Sequence, residues 1–173
     1  FIRKNKNKIY DVYFLNHSYL PNWRKNIDYQ KSSSAKKKFG GGVILDCSHE
    51  IDLVRWMIGD VKIINVLKSK KSNLNIDTED NCKIFAKNKR SSIIIDLNYY
   101  SFFKKRVIFI NGYNFNLKAD LLNSRITILK KNKKIIKKFN KKDIQESYFK
   151  ELKDLLMNKN QNLTNYNSAL LTQ

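Results

Sequence analysis

The chain predicts an α+β fold: one open, mostly antiparallel β-sheet with helices covering one of its faces. β-rich segments follow one another from Val61 to Lys130, and several are joined by polar links as short as "NKR", "NGYN" and "LNS". Links of that length make antiparallel hairpins, because a parallel crossover needs a dozen or more residues. Amphipathic helical patterns stand before and after this block, the arrangement that segregates helices to one side of a sheet. With 42% hydrophobic and 12% aromatic residues, a chain of 173 can bury one core, so it reads as a single domain over residues 1–173 without internal repeats.

The elements follow in order. "KIYDVYFLNHSYL" (Lys8 to Leu20) is β-branched and aromatic and predicts a strand that Pro21 stops. Asn22 to Lys38 is polar and predicts an exposed loop or irregular helical segment. After Gly40, Gly41 and Gly42, the apolar residues Cys47, Ile51, Val54 and Ile58 recur at helical spacing, with Gly59 as a C-terminal cap. "VKIINVLK", "NCKIFAK", "SSIIIDLNYYS", "KRVIFI", "FNLKADL" and "RITILK" then read as strands. Ile144, Tyr148, Leu152, Leu155 and Leu156 share one face of a second helix, and the polar tail from Asn158 ends in "SALLTQ", which resembles a further helix.

Composition excludes some classes and opens others. Nothing approaches the roughly 18 apolar residues of a membrane span, and the two cysteines, Cys47 and Cys82, are too few for a disulfide framework, so a cytoplasmic protein is expected. The net charge of +20 invites a nucleic-acid reading, but its source is Lys rather than Arg, alongside abundant Asn and Ile, as A/T-rich codons would give. The densest basic run, "KKNKKIIKK" from Lys130 to Lys138, reads as a solvated hairpin tip without interleaved aromatics for base stacking. Specific nucleic-acid binding is therefore not expected, and a basic nucleic-acid-binding protein stays as an alternative.

The chemistry concentrates in "FGGGVILDCSHEIDLVRWMIGD", Phe39 to Asp60. A phosphate loop needs a strand before the glycines and a Gly-Lys-Ser/Thr or Gly-x-Gly-x-x-Gly ending, and both are missing. The glycines instead suit a tight turn and close backbone approach at a helix start. Cys47 falls on the buried stripe, away from His49, which argues against a metal site and against a reactive thiolate. Asp46 and Asp52 each lie three residues from His49, so in a helix that begins by Asp46 either carboxylate can flank the imidazole. Such a pair makes a general base near neutral pH. The other reading leaves His49 as a capping or packing residue and Asp52 on a solvated face.

These residues resemble the glucose-fructose oxidoreductase and inositol dehydrogenase (Gfo/Idh/MocA) family. The stretch "GGGVILDCSHEIDLVRWMIGD" is similar to its Gly-Gly-Gly-x-Leu-x-Asp...His-x-x-Asp segment, "SYLPNWRKNIDYQKSSSAKKKFGGG" to the lead-in, and "IIIDLNYYSFFKKRVIFING" to its substrate-side strands. The resemblance covers Lys8 to Leu121. It implies the C-terminal, substrate-binding domain of a two-domain NAD- or NADP-dependent sugar oxidoreductase. The cofactor would be bound mainly by a Rossmann domain of which this sequence holds no fingerprint. The chain opens on Phe1 rather than Met, which fits a fragment, and alone it is expected to be inactive.

Carried over, the resemblance implies a catalytic role for His49 and Asp46 and places Asp52, Tyr19, Trp23, Tyr29, Tyr99 and Arg106 in or near the substrate cleft, with no metal. The histidine follows Asp46 by three positions where many members have four, and Phe115 stands where the second glycine of a Gly-x-x-Gly turn is usual. The implied partners are a sugar or nucleotide-sugar substrate and a second copy of the chain, joined through the sheet. A domain that keeps the sheet and has lost catalysis, serving binding or oligomerisation, is the other alternative.

Overall fold

The structure is a computed structural model in which residues 1–157 are described, so the expected helix in the tail lies outside the described residues. One eight-stranded sheet dominates. A short helix, α1 (Ile2–Asn5), precedes β1 (Ile9–Tyr19). Four single 3-10 turns lie within residues 20–39, followed by α2 (Val43–Asp46) and α3 (Ser48–Ile58). Then come β2 (Lys62–Ser69), β3 (Asn81–Lys87), β4 (Ser92–Asn98), β5 (Tyr100–Gly112), β6 (Phe115–Asp120), β7 (Arg125–Lys130), β8 (Lys133–Lys138) and α4 (Lys141–Leu156). The spatial order is β2-β3-β4-β1-β5-β6-β7-β8, and every pair is antiparallel except β1 with β4.

Period-two patterning decides which face is covered. Val12 and Phe14 of β1, Ile93, Ile95 and Leu97 of β4, and Ile108 and Ile110 of β5 form one core with Cys47 and with Val54, Met57 and Ile58 of α3. The other face stays open. Its central row is Phe85, Ile94, Tyr13 and Phe109, aligned by the strand register. Of these, Tyr13 and Phe109 are exposed.

Insertion of β1 between β4 and β5 makes Tyr99 the one residue that carries the chain over the end of β1. Asn98 pairs with His17 and Tyr100 with Tyr19, while Leu20 donates its N–H to the Tyr99 carbonyl at 2.8 Å. Between His17, opposite Lys105, and Tyr19, opposite Tyr100, Ser101–Lys104 bulge outward and display Phe102 and Phe103 to solvent.

The glycine triplet is a site of close approach. A Cβ on Gly41 would sit on the carbonyl oxygen of Ser33, and Gly42 adopts φ 118° with the Glu79 carboxylate against it. Backbone bonds from Gly42 to Ser34 O and from Val43 to Glu79 O tie the turn to both neighbours. Beyond it, the single helix expected from Asp46 onward is broken: Cys47 leaves helical geometry (φ −107°, ψ 18°) and separates α2 from α3.

The second amphipathic helix forms, with a reciprocal cap between Asn140 and Asp143. Its apolar face does not pack on the sheet as the pattern suggested, because Ile144, Tyr148, Leu152, Leu155 and Leu156 are all exposed. The cover over the core comes from α2 and α3. Among the described residues no helix is long and apolar enough to cross a membrane.

Candidate functional site

A carboxylate that sequence patterning had not singled out organises the candidate site. Glu50 is 0% exposed in its side chain and lies on the inner side of α3, where it accepts hydrogen bonds from two strands. Asn16 Nδ2 of β1 donates to Glu50 Oε1 at 2.7 Å. Arg106 of β5 donates from Nε to Oε1 at 2.7 Å and from Nη2 to Oε2 at 3.1 Å, a two-pronged pair that matches guanidinium to carboxylate. The third partner is His49, whose Nε2 lies 3.2 Å from Oε1 while 56% of its side chain stays exposed.

The charges follow from this geometry. Burial pushes the Glu50 carboxyl up, but hydrogen bonds from His49 and Arg106 and the positive charge they bring outweigh it and hold it below the usual carboxylate range. The opposite holds for Cys47, whose thiol is pushed up to about 12 by burial and by the charges of Glu50 and Asp46. That is the setting of an inert core thiol, whose sulfur accepts from Asn16 Nδ2 at 3.7 Å.

The expected pairing of Asp46 with His49 is not made. The break at Cys47 turns Asp46 away, and its Oδ2 accepts the Tyr99 hydroxyl at 2.5 Å. Tyr99, expected near the cleft, is 0% exposed in this structure, and its hydroxyl holds Asp46. Burial and the Asp46 bond both push that hydroxyl's pKa up, so it remains a donor. Arg106 of β5, also expected near the cleft, has its guanidinium engaged by Glu50. Asp52 lies one residue short of a turn beyond His49 on α3, half-buried.

The aromatic residues gather at the end of β1. Trp23 packs edge-on against Tyr99 at 5.2 Å and donates from Nε1 to Ser18 Oγ at 2.9 Å. Tyr19 tilts against Phe102 with ring centroids 4.4 Å apart. Tyr29 shares a small cavity wall with Trp23, and its hydroxyl accepts the Asn75 N–H at 3.1 Å. Glu50 and Asn16 were the residues missed. A signal existed for Glu50: it lies three residues after Cys47 and four before Val54, on the stripe that the helix buries.

No group of three or more metal-binding side chains occurs among the described residues. Nor do the glycines fit a dinucleotide pyrophosphate. The helix after them has four residues, and the Glu79 carboxylate already accepts the Ile44 N–H at its start, placing negative charge where a phosphate would sit.

The pH dependence of stability follows from Glu50. A carboxyl whose folded pKa is depressed contributes stability that is fully present above its unfolded value, about 4.3, and is lost as pH falls through the folded value. Glu50→Gln should therefore cost about 2 kcal/mol near neutral pH, below the usual loss for breaking a wholly buried pair because Arg106 is 37% exposed. Denaturant unfolding of both proteins across the acid range should show the gap shrinking below about pH 4. A gap independent of pH would mean that the Glu50 charge is not what stabilises.

Comparison with known proteins agrees with this architecture. A family model described as the GFO/IDH/MocA C-terminal domain matches residues 5–112. Among solved structures, the aldose-aldose oxidoreductase of Caulobacter crescentus, complexed with glycerol, superposes with a TM-score of 0.78 at 12% identity, covering 99% of this chain and 52% of that one. The WlbA dehydrogenase of Bordetella pertussis, solved with NADH and UDP-GlcNAcA, gives 0.68 at 16% identity, covering 98% and 53%. UDP-N-acetylglucosamine 3-dehydrogenase GnnA of Acidithiobacillus ferrooxidans gives 0.65 at 13%, covering 91% and 47%. No curated protein sequence matches. The chain thus spans about half the length of these solved relatives, and at such identities the likeness is one of fold. The family model, matching well over half of the 173 residues, carries the assignment: the chain belongs to the GFO/IDH/MocA family and corresponds to its C-terminal domain.

Proposed function

We propose that the chain is the substrate-binding half of an NAD- or NADP-dependent oxidoreductase that acts on a hydroxyl of a sugar or nucleotide sugar. The observation that carries this reading is a half-exposed imidazole, His49, beside a buried ionised carboxylate within the segment that matches the family. The dinucleotide belongs to the other half of the enzyme, since the glycine turn here does not accept a pyrophosphate. This chain's share is to bind the sugar and to take the hydroxyl proton on the imidazole. The solved relatives with UDP-GlcNAcA bound, or named for UDP-N-acetylglucosamine, favour a nucleotide sugar. The free and buried thiols Cys47 and Cys82 suit the reducing cytoplasm.

The open sheet face supplies the second part of the proposal, self-association. Phe85, Ile94, Tyr13 and Phe109 form a continuous apolar row that no helix of the described residues covers, and a second copy of the same face is its natural complement. Sedimentation should give an oligomer that Phe109→Glu weakens. A wild-type chain that stays monomeric at high concentration would contradict this.

The catalytic part is tested in the enzyme in which this chain is joined to its dinucleotide-binding half. His49→Asn should lower turnover by ~100-fold or more with little change in melting temperature, the size expected for losing a positioned base. Cys47→Ala should do the reverse, costing ~1 to 2 kcal/mol of stability and leaving turnover intact. If His49→Asn unfolds the protein while turnover per folded molecule is unchanged, His49 is structural.

A further inference from the structure

We propose that Glu50 is the positioning residue for His49: it accepts the Nε2–H of the imidazole, fixes that tautomer, and leaves Nδ1 as the nitrogen that receives the substrate's proton. The role of Nδ1 rests on the function proposed above; the tautomer does not.

The geometry leaves little alternative on the side facing Glu50. A carboxylate held ionised can only accept, which favours the proton on the ring nitrogen that lies 3.2 Å from Oε1. Glu50 is kept in that state by the guanidinium of Arg106, which can only donate, at 2.7 and 3.1 Å, and Asn16 Nδ2 adds a donor at 2.7 Å. Arg106 also denies Glu50 the proton that His49 would pick up, since protonating the buried carboxylate would give up its charge-assisted pair with the guanidinium. The imidazolium formed during turnover therefore stays on His49 and is stabilised by the fixed negative charge beneath it.

The His49 contact is the longest of those that Glu50 makes, and the ring remains more exposed than Arg106. The imidazole is thus oriented from below without being buried, as a base that must meet a substrate requires. Asp46 has no such hold on it, being committed to Tyr99.

Imidazole 15N NMR of the full chain, with the His49 signals identified by their loss in His49→Asn, reads the tautomer directly. Wild-type His49 should be a single Nε2–H form with an Nε2 proton exchanging slowly enough to be seen. Asp46→Asn should leave both features unchanged. Glu50→Gln should abolish the slow proton and return the ring to the mixed tautomers of a solvent-exposed histidine. Glu50→Asp, which keeps the charge but withdraws it by one methylene, should do the same if the glutamine variant does not fold. A wild-type ring that is mixed or protonated at Nδ1, Glu50 variants that retain the wild-type spectrum, or an Asp46→Asn spectrum that changes would each overturn the proposal. The readout needs no substrate, so it can fail while His49→Asn still cripples turnover, and the sugar oxidoreductase reading would then stand without Glu50.

Discussion

A single buried charge, the carboxylate of Glu50, governs how the helix layer meets the sheet. An ionised group withdrawn from water costs several kcal/mol unless donors replace its hydration, and here they come from different strands. Asn16 on β1 and Arg106 on β5 converge on Glu50 at the start of α3. These two strands are direct neighbours, with Asn16 opposite Arg106 in the register. A one-residue slip of either strand would carry its donor to the open face and leave the carboxylate stranded. The charge therefore constrains strand register and helix position together, which an apolar contact of the same size would do less sharply. His49, the preceding residue in the chain, inherits its position from this anchor.

A second network holds the approach to the site. Tyr99 crosses the end of β1, and its hydroxyl fixes Asp46 at the end of α2. Its ring backs Trp23, which is tied through Ser18 to β1. The irregular segment between β1 and α2 lacks regular secondary structure but is held at both ends, by this aromatic contact and by the glycine turn pressed on Ser33 and Glu79. Such a segment can present side chains to a ligand while the sheet beneath it stays rigid.

Much of the fold was legible because strands and helices leave period-two and helical patterns in the sequence. β1, β3, β6 and β7 fall within a residue or two of the segments the pattern marks. The parallel pairing of β1 with β4 was not legible, since it depends on partners far apart in the chain and on a crossover of a single residue, Tyr99. Nor was the break at Cys47, which follows from the glycine turn and from Asp46 reaching Tyr99 rather than from local propensity. The face of α4 reads as buried because apolar spacing reports a capacity to pack without naming a partner. In the candidate site, His49 and Arg106 were singled out by residue type and family resemblance and lie against Glu50, whereas Glu50 was passed over because a helical glutamate ordinarily faces solvent. The burial of Tyr99 was not legible either: the type of an aromatic residue does not disclose that its ring lies inside and its hydroxyl reaches Asp46.

The claim on which this account turns is that Glu50 stays ionised in a buried position because Arg106 and its other partners outweigh burial. A carboxyl 13C NMR titration of Glu50 in the folded chain tests it most directly. The account predicts a midpoint below the ordinary glutamate value of about 4.3, with the signal unchanged through the neutral range. A midpoint at or above that value would mean that burial prevails, that Glu50 carries a proton when the site is at work, and that the anchor described here is not a charge.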